Sequence, residues 1–551
     1  MKYFISLILL LFSLQVFSQS NQPGFQILEE VQRRNYSAQD TNQRFGGFVL
    51  RMPYLSNLPE SPNKKVSLQA LPLISATQYS GKRPYSWGDG PMIPSVGWQQ
   101  YLSTGFYFKA SILHIRFQPE YVVAENRPYE GFSELFHPSV IKDRYHYWNY
   151  DDSPERYASS TFQDFWWGQS SVTLRYGSFE TGLSTRSIWW GPGQWASMTF
   201  SDNARSFPHL TLNTVKPAKT FLGNFEGQLL VGRLENSGLG ASQNEQLNEQ
   251  YFSYFSGDWR YLNALMVSYN PKWISNATIG FSRTFQQFSE DQSKDFGGYF
   301  PIFEPFQKEK LFENNNSVIY DGEAQDQQAT FFFRYAVPKA QAEIYAEYGR
   351  RDHAYNWRDA VLSPEHSRGY LFGFIKLVDL PQSSSGKKIQ IRGEVIHQQE
   401  PVNRYVRYMG LGGDSSWQLH YQVRSYGNYG QALGTGIGTG SNIQILEVAV
   451  VEGWNKLGLV FHRLENHMDF YNRAFVSHGV TNPWLDYTVG ALVNHDFGNL
   501  KLTSELKFVH GRNYQWKGNL PENLENGTVQ NINSFHGKVS LIYFLKKDNK
   551  N

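Results

Sequence analysis

From about Tyr101 to Phe544 the chain returns again and again to short stretches in which apolar and polar side chains alternate. Leu102, Phe106 and Phe108 share one face of such a stretch, and Tyr101, Ser103, Tyr107 and Lys109 the other. Ala342, Ile344, Ala346 and Tyr348 oppose Gln341, Glu343, Tyr345 and Glu347. Ile389, Ile391 and Val395 oppose Lys388, Gln390, Arg392 and Glu394, and Leu500, Leu502, Leu506 and Phe508 oppose Lys501, Thr503, Glu505 and Lys507. A period of two with one apolar face specifies antiparallel β-strands. Two all-β architectures accept that pattern, a secreted sandwich and a transmembrane antiparallel β-barrel.

Three features favour the barrel. The pattern runs on without a domain linker. Acids and bases interleave on the polar faces, as in a water-facing lumen. The 16% of aromatic residues suits belts at two membrane interfaces. Mean hydropathy of −0.50 is compatible, because only half of each strand faces lipid. Roughly 450 residues, at about 10 per strand and 15 per connection, give about eighteen strands, and an even number is expected. Gly537–Phe544 is the last alternating segment and would close the barrel.

The N-terminal part reads differently. "MKYFISLILLLFSLQVFSQS" has an early lysine, a short apolar run and a small-x-small site at Val16-Phe17-Ser18, so residues 1–18 form a secretory signal peptide. The run is short for a membrane span. Residues 19–95 read as a helical and loop element on the periplasmic side, with residues 96–551 as the barrel. Phe25, Leu28 and Val31 are spaced as one helical face, whereas "LPLISATQYSGKRPYSWGDGPMIPS" has a loop composition. A flexible tail is the competing reading of that segment.

Composition excludes several function classes. A net charge of +2 without a basic block argues against nucleic acid as a partner. The absence of cysteine excludes a disulfide framework and a thiolate metal site. There is no HExxH, GxSxG or P-loop. Asp151, Asp152 and Glu155 are sequence neighbours rather than a carboxylate pair spaced across a glycosidic bond. Neither a cofactor nor a metal is expected, and the chain does not read as an enzyme.

The stretch "DDSPERYASSTFQDFWWGQSSVTLRYGSFETGLSTRSIWWGPGQWASMTFSDNARSFPHLTLNT" resembles the signature region of the capsule assembly protein Wzi family. "PYSWGDGPMIPSVG", "KPAKTFLGNFEGQLLVGRLE", "AEIYAEYGRRDHAYNWRDAVLSPEHSRGYLFGF" and "GQALGTGIGTGSNIQ" extend the resemblance from about Pro84 to Gln444. Many relatives have proline where Thr439 stands here, which loosens one turn. The resemblance implies an exported, monomeric outer-membrane barrel, in contact with outer-membrane lipid, that binds capsular or other exopolysaccharide as a surface lectin. A porin-like channel for small solutes shares the fold and is the alternative.

Sugar binding calls for flat rings and rigid polar groups. Trp189, Trp190 and Trp195 supply rings, and Arg186, Arg205, Arg350, Arg351 and Arg358 supply donors for hydroxyls or carboxylates. The competing reading makes the tryptophans an interface belt or wall packing, and the arginines a self-neutralised lumenal network. One tryptophan of each adjacent pair, Trp166–Trp167 and Trp189–Trp190, is expected to face lipid and the other the lumen, with Trp189 and Trp190 ending a strand at a membrane boundary. Phe296–Asp326 is a candidate external loop.

Overall fold

A computed structural model describes residues 26–38, 66–255, 258–274, 276–304, 322, 324–351, 357–362, 364–381, 386–401, 416–476 and 479–545. The expected signal peptide and most of the Phe296–Asp326 loop lie outside these residues. One antiparallel sheet of 23 strands makes up the wall. From Gly223 onward the strands of the wall pair in chain order, whereas Val66–Ala70 pairs with Phe106–Ala110, Gly97–Ser103 with Glu120–Ala124 and Leu113–Phe117 with Ser171–Tyr176. Leu73–Ser80 pairs both with Gly97–Ser103 and with the last strand, Ile532–Tyr543.

The count exceeds the expected eighteen because several ladders are interrupted. Val66–Ala70 and Leu73–Ser80 run on either side of Leu71-Pro72, and Leu113–Phe117 and Glu120–Ala124 on either side of Gln118-Pro119. Proline donates no ladder hydrogen bond, so the strand lapses there. Gly97–Ser103 and Phe106–Ala110 break at Thr104-Gly105, where a Cβ on Gly105 would collide with the Phe117 carbonyl. Phe162–Trp166 with Ser171–Tyr176, and His209–Thr214 with Ala218–Lys219, are the other divided ladders.

Alternation sorts side chains as anticipated. In Asn442–Glu452, Leu446, Val448 and Val450 are exposed, while Ile445, Glu447 and Ala449 are buried. Apolar groups therefore cover the outside, and the inside mixes charge with small apolar residues. Among the described residues no helix is long and apolar enough to cross a membrane, so any crossing is made by strands.

Short turns such as 111–112, 177–178, 453–454 and 497–499 alternate with long connections such as 81–96, 125–161, 185–208 and 466–484. In barrels of this type short turns face the periplasm. Helix α1 (Gln26–Ala38) lies inside at that end, where Arg34 Nη2 donates to the Gly453 carbonyl at 2.7 Å. At the other end α2 (Pro138–Tyr150), α3 (Glu245–Tyr251) and α4 (Met468–Ala474) sit in long connections. Phe132, Tyr145, Trp148, Phe470, Trp484 and Trp516 belong to one buried aromatic cluster there.

The loop reading of residues 66–80 is corrected by the structure. Both strands in that range belong to the wall, so the boundary at residue 95 falls just before the second strand of a paired hairpin. The small and polar residues of "LISATQYS" disguise a strand whose Ile74 and Ala76 are buried. Tyr85 and Met92, in the following loop, are buried inside.

Candidate functional site

The segment Ser187–Ser201 does not end at a membrane boundary. Trp189 and Trp190 are both buried, and Trp190 forms a single bridge with Phe200 rather than extending a wall strand. The expectation of one lipid-facing and one lumenal ring is therefore overturned, because the loop turns inward and neither ring lies on a wall strand. Trp190 packs edge-on to Phe200 at 4.7 Å, and its indole N–H donates to Gln228 Oε1 at 2.9 Å. Trp166 and Trp167 do divide between faces: Trp166 donates to Ser206 Oγ at 2.9 Å, whereas Trp167 is exposed.

Two wall carboxylates hold the turn that follows. Glu347 accepts from the Gly193 N–H at 2.9 Å, from Ser197 Oγ at 3.0 Å and from the Met198 N–H at 2.8 Å. Glu394 accepts from the Gln194 and Trp195 N–H groups at 2.6 and 3.1 Å, and from the Tyr345 hydroxyl at 2.8 Å. Gly191 has φ +124°, and a Cβ there would run into the Glu347 carboxylate. Glycine is required because the backbone passes so close to that group.

The loop also meets α1. Arg33 Nη2 donates to the Pro192 carbonyl at 2.6 Å and pairs with Glu343 at 3.2 Å. Glu30 accepts from Lys456 at 2.7 Å and pairs with Arg392 at 3.2 Å, and Arg392 also pairs with Glu447. Burial alone would raise the Glu30 carboxyl, but Arg392, Lys456 and Arg34 outweigh it and hold it well below the usual carboxylate range. Helix, loop and wall thus form one charged and hydrogen-bonded interior.

The expected arginines do not converge. Arg186 pairs with Glu180, and Arg205 pairs with Asp164 at 3.1 Å while stacking over Trp166 at 4.1 Å. Arg351 is fully buried and pairs with Asp326 at 2.6 Å. Arg350 stands on the wall opposite Arg368, and Arg358 is exposed on the helix Trp357–Leu362. Trp195 lies under the Arg392 guanidinium at 4.5 Å. Lys507 pairs with its sequence neighbour Glu505, but Arg392 prefers Glu447 and Glu30 to Glu394.

Among the described residues, two interior cavities meet at Ser86, Trp87 and Asp89. One, about 210 Å³, lies between α1, Trp195 and the wall. The other, about 220 Å³, lies under the long connections and is lined by Trp87, Arg144, Trp148, Asp151, Trp484 and Tyr514 among others. Glu155, at its edge, accepts from the Phe132 N–H at 2.8 Å and the Gln243 N–H at 3.1 Å. Burial pushes its carboxyl up, against those two donors and Arg144. Sequence reasoning missed Arg144 and Trp87, because only the packing of distant loops brings them together.

A single antiparallel sheet with an apolar exterior and a charged interior, its first long strand paired with its last and its own loop and helix packed within, has the architecture of a barrel wall. The chain belongs to the capsule assembly protein Wzi family, whose model matches residues 97–442. It is similar in fold to Wzi of Escherichia coli, an outer membrane protein involved in group 1 capsule assembly and a carbohydrate-binding β-barrel. That match has a TM-score of 0.53 at 11% identity, over 86% of this chain and 84% of that one. OccAB1 of Acinetobacter baumannii matches at a TM-score of 0.41 and 8% identity, over 86% of this chain and 96% of that one. A BenF-like porin of Pseudomonas fluorescens matches at 0.39 and 10%, over 87% and 99%. A search of curated proteins by sequence returned no match.

Proposed function

We propose that the protein is an exported, monomeric outer-membrane barrel that binds capsular or other extracellular polysaccharide and helps assemble or retain it at the cell surface. Joining the five divided ladders reduces 23 strands to 23 − 5 = 18, an even number, and the pairing of the first long strand with the last supports closure on itself. The reading treats the protein as a binder and not an enzyme, acting through hydrogen bonds and ring stacking alone.

The observation that carries the reading is the packed lumen of a Wzi-family barrel. Gly193, Gln194, Trp195 and Met198 hang from Glu347 and Glu394 across the interior, and α1 fills the short-turn end. A solute channel would need that space, whereas a glycan-holding protein can use it to stiffen the connections that meet the polysaccharide. The full-length barrel in detergent, incubated with the producing cell's own surface polysaccharide and recaptured, should retain glycan above an unrelated barrel of similar size. Equal retention by the two overturns the proposal.

A further inference from the structure

Most buried arginines in this protein have a carboxylate. Arg33 has Glu343, Arg83 has Asp486, Arg351 has Asp326 and Arg392 has Glu447. Arg144 on α2 has none: it is 6% exposed, and among the described residues it makes no hydrogen bond and no ion pair. Its guanidinium instead lies 4.3 Å over the Trp148 ring, with Phe470 and Trp516 at 5.3 and 5.4 Å. Buried polar groups are nearly always satisfied, and a guanidinium carries five donors. This one faces the 220 Å³ cavity under the long connections.

The same cavity supplies an acceptor. Asp151 takes hydrogen bonds from Ser153 and Thr439, and among the described residues both fall on Oδ2, leaving Oδ1 available. Trp87, Trp484 and Tyr514 add ring surface. A volume of about 220 Å³ is below the ~300–1,000 Å³ of sites for drug-sized ligands, so it suits a single ring.

Charge selects between acidic and neutral ligands. Burial brings Arg144 down to about 10, with Glu155 and Asp151 resisting the fall, so it is a cation at neutral pH. Asp151, Asp152 and Glu155 line the same cavity. A ligand carboxylate would add negative charge to a buried place already rich in it, whereas hydroxyl groups add none.

We infer that this cavity holds one uncharged hexopyranose unit, either the end of a polysaccharide chain or a free sugar, with its hydroxyls shared between Arg144 and Asp151 and a C–H face against an indole. The inference rests on the polysaccharide-binding reading and gives it a place and a sugar class. The cavity's indoles make intrinsic tryptophan fluorescence the readout.

The full-length protein folded in detergent is titrated with the methyl hexopyranosides of glucose, galactose and mannose, and with glucuronate. At least one neutral hexoside should give a saturable change, and glucuronate should bind more weakly. Arg144→Gln and Asp151→Asn should each weaken binding about tenfold or more, the loss expected for hydrogen bonds to charged groups. The Asp151 variant carries the test if the Arg144 variant fails to fold. Displacement of the hexoside by size-fractionated polysaccharide from the cell assigns a chain end, and binding without displacement assigns a free sugar. No saturation by any neutral hexoside, tighter binding of glucuronate, or wild-type binding by a folded variant overturns the inference. Retention of whole polysaccharide alongside such a failure sinks the cavity alone, and failure of retention sinks the broader reading.

Discussion

Glu347 is 1% exposed on the inner wall, and three donors from a loop about 150 residues earlier in the chain converge on it. Removing that acceptor takes the carboxylate from the buried Gly193 and Met198 N–H groups, while the Ser197 hydroxyl keeps the Trp190 carbonyl. A buried donor stripped of its acceptor costs more than a typical hydrogen bond contributes. Glu347→Ala should therefore destabilise the folded barrel by about 3 kcal/mol or more, since each orphaned donor costs ~1–3 kcal/mol. Glu347→Gln keeps one acceptor oxygen and should lose less than half as much. Urea unfolding in lipid vesicles measures both, and equal losses would show that the acceptor is not what matters. Such residue-scale links were invisible in the sequence. The alternation placed Glu343, Tyr345 and Glu347 together on a polar face. It had no means of showing that Gly193 and Met198 would reach that face. Trp189 and Trp190 were misplaced for the same reason: an aromatic pair beside a turn reads alike at a membrane belt and in a packed lumen.

At the scale of elements, strands were legible because their pattern is local, and the filling of the barrel was not because its partners are distant. A period of two is written within ten residues, so the wall from Tyr101 onward could be drawn from sequence, whereas Val66–Ala70 and Leu73–Ser80 were hidden by Pro72 and small side chains. The helical spacing of Leu28 and Val31 gave α1, and the structure adds what docks it. Arg392, Lys456 and Arg34 depress the Glu30 carboxyl despite its burial. A carboxyl lowered in the folded state contributes stability fully above its unfolded value of about 4.3, and loses it as pH falls through the folded value. Docking of α1 should therefore be constant from pH 8 to 5 and weaken only below about pH 4. The chain has no cysteine, so Gln32→Cys provides a unique attachment point on α1 for an environment-sensitive dye. A signal steady to pH 5 with a transition in acid is expected, and a transition between pH 6 and 8 would rule out the Glu30 cluster as the anchor.

For the whole molecule, the question is how many independent obstacles stand in the lumen. Helix α1 occupies the short-turn end and is tied there by Gly453, Glu343 and the Glu30 cluster. The loop Ser187–Ser201 crosses the interior and is tied by Glu347, Glu394, Gln228 and the Thr199 contacts to Ser282 and Thr330. Phe132, Trp148, Phe470 and Trp516 pack together at the opposite end, with no α1 residue in that cluster. The Arg33 contact to the Pro192 carbonyl joins helix to loop. Losing α1 therefore removes the Arg33 bond to Pro192 and leaves the bonds of the loop to Glu347 and Glu394 in place. In planar bilayers the intact protein should carry no steady large current. Deleting residues 26–38 should leave it electrically silent, because the loop still spans the interior, although the variant should unfold at lower urea for want of the Glu30 and Arg33 pairs. Large steady currents from that deletion would mean that the loop depends on the helix and that one plug, not two, closes the barrel. Silence in both proteins shows that the wall-anchored loop and the aromatic cluster at the opposite end close the lumen without the helix.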